Sequence, residues 1–100
     1  MKQTVAVATL TARPGESETL RGCLERLRAI AAQEPGTLEW VLFRAQQDPA
    51  VFVIVERFAD EHAYLAHENN PELASVTPGL RAATEKVEVR TGAALPGRES

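Results

Sequence analysis

Apolar positions along the chain change period four times, and each change marks a passage between strand and helix. Gln3 to Thr11 sets Val5, Val7 and Thr9 on one side and Thr4, Ala6, Ala8 and Leu10 on the other. Small and β-branched residues on both sides predict a strand covered on both faces. Arg13-Pro14-Gly15 ends it as a turn. From Glu16 to about Gln33, apolar residues at 20, 23, 24, 27, 30 and 31 follow the 3.6-residue period of an amphipathic helix, and Pro35-Gly36 stops it. Period two returns over Thr37 to Ala45, with Leu38, Trp40 and Leu42 on one face and Val41 and Phe43 on the other. Gln46-Gln47-Asp48-Pro49 turns the chain into a third strand, about Ala50 to Phe58, so strands two and three form a hairpin.

Asp60 is placed to cap a helix running to His67 or Glu68, with Glu61 adding negative charge in its first turn. Asn69-Asn70-Pro71 breaks that helix, and Asn70 can cap another with Pro71 at its first position. Leu73, Val76, Leu80 and Ala83 continue a helical stripe that Pro78-Gly79 interrupts. Lys86 to Thr91 then alternates as a last strand, with Val87 and Val89 inward. The order β-α-β-β-α-β predicts an α+β domain of ferredoxin-like topology, a four-stranded antiparallel sheet with its helices on one face. The domain spans residues 1–92, and 93–100 form a tail that is either disordered or crosses to a partner. Val51 to Val55 is apolar on both faces, and helices cover one face only. A homodimer through the helix-free faces is therefore expected.

Composition narrows the function classes. The apolar fraction of 44% and charged fraction of 25% are those of an ordinary globular protein. A net charge of -3 without a Lys/Arg run lacks the footprint of a nucleic-acid binder. No apolar run approaches a membrane span, and the N-terminal residues lack the apolar core of a secretory signal, so a cytoplasmic protein is expected. The lone Cys23, among Leu20, Leu24 and Leu27 at helical spacing, reads as a buried, inert thiol.

Chemistry concentrates in the second half. His62 and His67 are five residues apart, which turns the rings roughly 140° from each other on a helix and disfavours a shared metal. His67 near a helix end serves either as a cap favoured by the helix dipole or as a proton shuttle at a pocket rim. With Asn69 and Asn70 beside it, water is expected to satisfy the ring, so that replacing His67 costs what a surface change costs. Glu56 shares a strand face with Ile54 and Phe58, where a carboxylate is costly unless paired, and Arg57 points to the opposite face, so Glu56 reads as an interface or helix-cap ion pair ahead of a general base. Trp40 and Tyr64 either line an aromatic pocket or pack in the core.

Ala12-Arg13-Pro14-Gly15, Glu34-Pro35-Gly36, Asp48-Pro49 and Glu56-Arg57-Phe58-Ala59-Asp60, with His67 and Pro71 downstream, resemble the antibiotic biosynthesis monooxygenase family over residues 3 to 91. The resemblance implies a dimeric α+β barrel. For some members it implies oxidation of polycyclic aromatic polyketides by molecular oxygen, without metal, flavin or haem. It makes Tyr64 and His67 candidate catalytic residues and puts Trp40, Ile54, Glu56 and Phe58 around a small-molecule pocket. The Asn and Trp of quinone-forming members fall here on Ile54 and Phe58, while their Tyr falls on Tyr64. The residues of haem-degrading relatives fall on Ala8, Phe58 and about Thr77, which disfavours haem. A relative that isomerises a phosphorylated autoinducer sugar carries a histidine at the position of His67. The alternatives to an oxygenase are therefore such an isomerase, or a module that binds a small ligand without turnover.

Overall fold

Strand β1 (Thr4–Ala12) lies inside the sheet because both of its edges are taken. The computed structural model describes residues 2–97. β3 (Val51–Phe58) pairs antiparallel with one edge of β1 and β4 (Thr84–Ala93) with the other; β2 (Thr37–Arg44) pairs antiparallel with β3, giving the order β2-β3-β1-β4. Helices α1 (Ser17–Ala31), α2 (Glu61–Glu68) and α3 (Thr77–Ala83), with a 3-10 turn at Pro71–Ser75, complete a ferredoxin-like α+β fold. None of the helices is long and apolar enough to cross a membrane among the described residues.

The boundaries follow local chemistry. Gly15 adopts φ 78°, which an L side chain resists, and lets the Arg13–Glu16 turn close before α1. Asp60 caps α2 through a 2.8 Å bond from the Ala63 N–H, and Asn70 caps the 3-10 turn through a 3.0 Å bond from the Glu72 N–H. Pro78 sits in the first turn of α3, where its missing N–H costs nothing, so the helix starts there rather than breaking.

The core lies between the sheet and the helices. Leu10, Phe52 and Ile54 meet Leu20 and Leu24 of α1 and Ala83 of α3, and Phe58 and Val76 are fully enclosed. Cys23 is buried in the same layer. On β3 burial alternates strictly: Phe52, Ile54, Glu56 and Phe58 face the helices, while Val51, Val53, Val55 and Arg57 face away. The helix-free face carries Val7, Val41 and Phe43 at 37%, 43% and 47% exposure.

Two expectations change. Leu38 does not share a face with Trp40 and Leu42: the β2–β3 register shifts between Thr37 and Glu39, and Leu38 falls outside the ladder, half exposed. One extra residue on a strand offsets everything before it by one position. Val87 and Val89 face the helix side, opposite Leu10 and Ala8, yet remain 53% and 56% exposed. They stand on the edge strand, beyond the reach of the helices. β4 also runs to Ala93, and the Ala94 N–H donates to the Gln3 carbonyl at 2.8 Å. Residues 98–100 of the expected tail lie outside the described residues.

Candidate functional site

Between sheet and helices the sequence leaves an unfilled volume. Ala6 and Ala8 of β1 are too short to reach the helices, and a cleft of about 260 Å³ opens over them. Leu24 and Leu27 of α1 and Leu80 of α3 roof it; Trp40, Ile54 and Glu56 lie on its β2–β3 side, and Val87 and Val89 on its β4 side. Tyr64, His67 and Glu68 of α2 close one end. The walls are mostly apolar, and among the described lining residues none is Lys or Arg. This is the usual make-up of a small-molecule site: apolar surface with few convergent polar groups.

Glu56 is the polar group of the floor. Its carboxylate is almost sealed from solvent, as its strand face predicts, and two partners hold it. Trp40 donates from Nε1 to Oε1 at 2.9 Å across the β2–β3 ladder, and His67 Nε2 stands 3.4 Å from the same oxygen. Burial pushes the Glu56 carboxyl above its ordinary range, as do the negative charges of Glu68 and Glu34; His67 and the Trp40 hydrogen bond work the other way and do not overcome it.

His67 is no surface cap. Its side chain is 12% exposed, set between two carboxylates and tilted against the Phe58 ring with centroids 5.2 Å apart. The expectation that water satisfies the ring is corrected: Glu34, in the turn after α1, takes Nδ1 at 2.7 Å. Replacing His67 would strip the enclosed Glu34 of its ring partner and open a gap beside Glu56, which no surface change does. Thr37 Oγ1 and Asn70 Nδ2 each donate to Glu34 at 2.8 Å. Burial alone would raise the Glu34 carboxyl, but the bonds from Asn70, Thr37 and His67 outweigh it and hold the group below its ordinary range.

The register shift at Leu38 explains how β2 serves both acids. Thr37 and Trp40, three apart, would lie on opposite faces of a regular strand. With Leu38 extruded, Thr37 pairs opposite Phe58 and Trp40 opposite Glu56, so both face the helices. Tyr64 lies edge-on to Phe58 at 5.3 Å. Partial burial, then the charges of Glu68 and Glu56, raise its phenol above the ordinary value and keep it protonated.

Of the six residues singled out from the sequence, Trp40, Ile54, Glu56, Tyr64 and His67 line one cleft. Phe58 does not reach it; fully enclosed, it backs Tyr64 and His67 from behind. Glu34 was missed as a site residue. The one signal for it was its place in the Glu34-Pro35-Gly36 turn, since its bond to His67 spans 33 positions.

Fold and cleft define a ferredoxin-like α+β protein with a carboxylate–imidazole–carboxylate row at the end of an apolar pocket. A family model described as antibiotic biosynthesis monooxygenase matches residues 4–79, and the chain belongs to that family. Solved structures agree in fold. The protein PA3566 from Pseudomonas aeruginosa is 27% identical, with 96% of this chain and 97% of that one covered and a TM-score of 0.87. SnoaB from Streptomyces nogalater, a cofactor-independent oxygenase, is 19% identical over 100% of both chains at a TM-score of 0.87. Rv0793 from Mycobacterium tuberculosis is 20% identical, covering 96% of this chain and 98% of that one, at a TM-score of 0.86. No curated protein matches the chain in sequence.

Proposed function

We propose that the protein is a cofactor-independent oxygenase that deprotonates a small aromatic substrate of the anthrone or quinol kind and lets molecular oxygen attack the resulting anion. One observation carries the reading: a carboxylate raised by burial stands on the floor of an apolar cleft, with an imidazole against it. A raised carboxylate is a stronger base than an exposed one, and a dry site strengthens its field. For a methylene substrate the balance is simple. Glu56 removes one C–H proton, the carbanion delivers electrons to oxygen, and a hydroperoxide forms. Loss of the second C–H with cleavage of the O–O bond leaves a ketone and water, one oxygen atom in each. Tyr64, kept protonated, supplies a hydrogen-bond donor to the substrate oxygen where charge builds up. Trp40 and Ile54 shape the wall, and Trp40 also holds Glu56.

Oxygen consumption with a panel of anthrones and quinols tests the reading. Turnover should place one atom of isotopically labelled oxygen in the product, and Glu56→Gln should lower kcat about 100-fold or more, the span of a lost general base. Binding without turnover across the panel would overturn the oxygenase and leave a ligand-binding module. The sugar-phosphate isomerase gains support from His67 but none from the cleft, whose described lining offers no cation to a phosphate. The functional unit we propose is a homodimer joined through the helix-free faces, in a cytoplasmic setting.

A further inference from the structure

Glu34 has no part in the chemistry above, yet it is the most heavily bonded carboxylate of the site. Its Oε1 accepts from Thr37 Oγ1 at 2.8 Å and meets His67 Nδ1 at 2.7 Å, and its Oε2 accepts from Asn70 Nδ2 at 2.8 Å. An ionised carboxylate only accepts, so Nδ1 carries the ring proton. The Nε2 lone pair is then left facing Glu56 Oε1, 3.4 Å away. Among the described residues, Tyr64 and Glu68 of α2 are the further titratable groups on the cleft side, and His62 and Glu72 border the outer cleft beside the ring. The placement depends on Gly36. A Cβ there would stand 2.5 Å from the Ala63 Cβ of α2, and the Gly36 carbonyl accepts from the Ala59 N–H at 2.9 Å. Only a glycine lets the Glu34 turn dock this tightly on α2. Glu34 and His67 also border an outer cleft of about 490 Å³, so this end of the row meets water outside the apolar pocket.

Resting on the oxidation reading, we propose that Glu34 is the positioning residue of the cleft's proton chemistry: it fixes His67 in the Nδ1–H form and stabilises the imidazolium that stores the substrate's proton. Each C–H proton passes from the substrate to Glu56 and from Glu56 to Nε2. The first returns by the same route to the peroxide anion and gives the hydroperoxide; the second returns to the hydroxide released when the O–O bond breaks, leaving as water. No electron passes through His67 or Glu34. An acid behind a histidine plays the same part in hydrolytic triads, where it holds tautomer and orientation without itself taking the proton.

The test reads the ring directly. Nitrogen NMR of the substrate-free chain, with His67→Asn to assign the signals, should show neutral His67 protonated at Nδ1. Glu34→Gln, which replaces the pure acceptor by an amide, should move the ring toward the Nε2–H form. Gly36→Ala, which lifts the turn, should shift it the same way. With a turned-over substrate, Glu34→Gln should lower kcat about tenfold or more while KM stays within about twofold, the signature of a contact that matters in the transition state. Neutral wild-type His67 protonated at Nε2, or an unchanged tautomer in both variants, overturns the proposal. If Glu34→Gln does not fold, the wild-type tautomer and Gly36→Ala still decide. Absence of turnover with every substrate would sink the oxidation reading, while the tautomer would still report on Glu34.

Discussion

Glu34 and Glu56 flank the same imidazole and are displaced in opposite directions, so they pull stability in opposite directions with pH. The folded chain holds a proton on Glu56 more readily than the unfolded chain does. Its contribution is complete below the ordinary value of 4.5 and is lost as pH rises through the raised range. Glu34 is the reverse: its contribution is present above 4.5 and fades as pH falls through its lowered range. Melting temperatures against pH should show both. The difference between Glu56→Gln and wild type should move in favour of the variant as pH rises from 4.5 through the raised range of Glu56. The deficit of Glu34→Gln should be largest at neutral pH and close below about pH 4. Parallel curves would refute both assignments. The burial of Glu56 was legible in the sequence because alternation with Ile54 and Phe58 fixes its face. Its partners were not legible, because Trp40 arrives across a ladder and His67 from the next helix. The enclosure of His67 was hidden for the same reason: a helix end next to Asn69 and Asn70 reads as open to water until a distant turn covers it.

At the scale of elements, periodicity and punctuation carried most of the fold. The leucines of α1, the Asp60 cap and the Asn70-Pro71 start each predict an element that the structure contains. What escaped was local offset. A strand pattern of Leu38, Trp40 and Leu42 is apolar enough to suggest one continuous face, and nothing in it announces the slip between Thr37 and Glu39. The slip arises from a tertiary demand, since Thr37 must reach Glu34 while Trp40 reaches Glu56. The inward assignment of Val87 and Val89 was right in face and wrong in cover. Alternation tells which way a side chain points, and only the placement of helices tells whether anything lies above it.

At the scale of the whole molecule, the described residues leave apolar surface uncovered on the sheet face bearing Val7, Val41 and Phe43 and on the β4 side of the cleft. The first is flat, central and bounded by charge, with Arg57 and Glu39 paired at 2.8 Å on the same face. An apolar centre with a polar rim is what a paired surface needs. Sedimentation at tens of micromolar, roughly where a specific interface of standard size holds, should give the mass of two chains. Phe43→Glu should give single chains with the sheet retained in circular dichroism. A wild-type monomer at that concentration would rule the pairing out.

The strand order has a consequence for time as well as shape. β2 and β3 are neighbours in the chain and can zip together as a hairpin, but β1 reaches β3 only across α1 and β2, and its pairing with β4 joins Thr4 to Ala93 across almost the whole chain. Distant pairings carry a loop-closure cost that local ones avoid, so they form late. Pulse-labelled hydrogen exchange during refolding should protect the β2–β3 amides before those of β1 and β4, and simultaneous protection would contradict this. The pocket has its floor on β1 and one side on β4. While the hairpin already stands, the chain has no room for a substrate; the cavity comes into existence only when the first strand and the last have found each other.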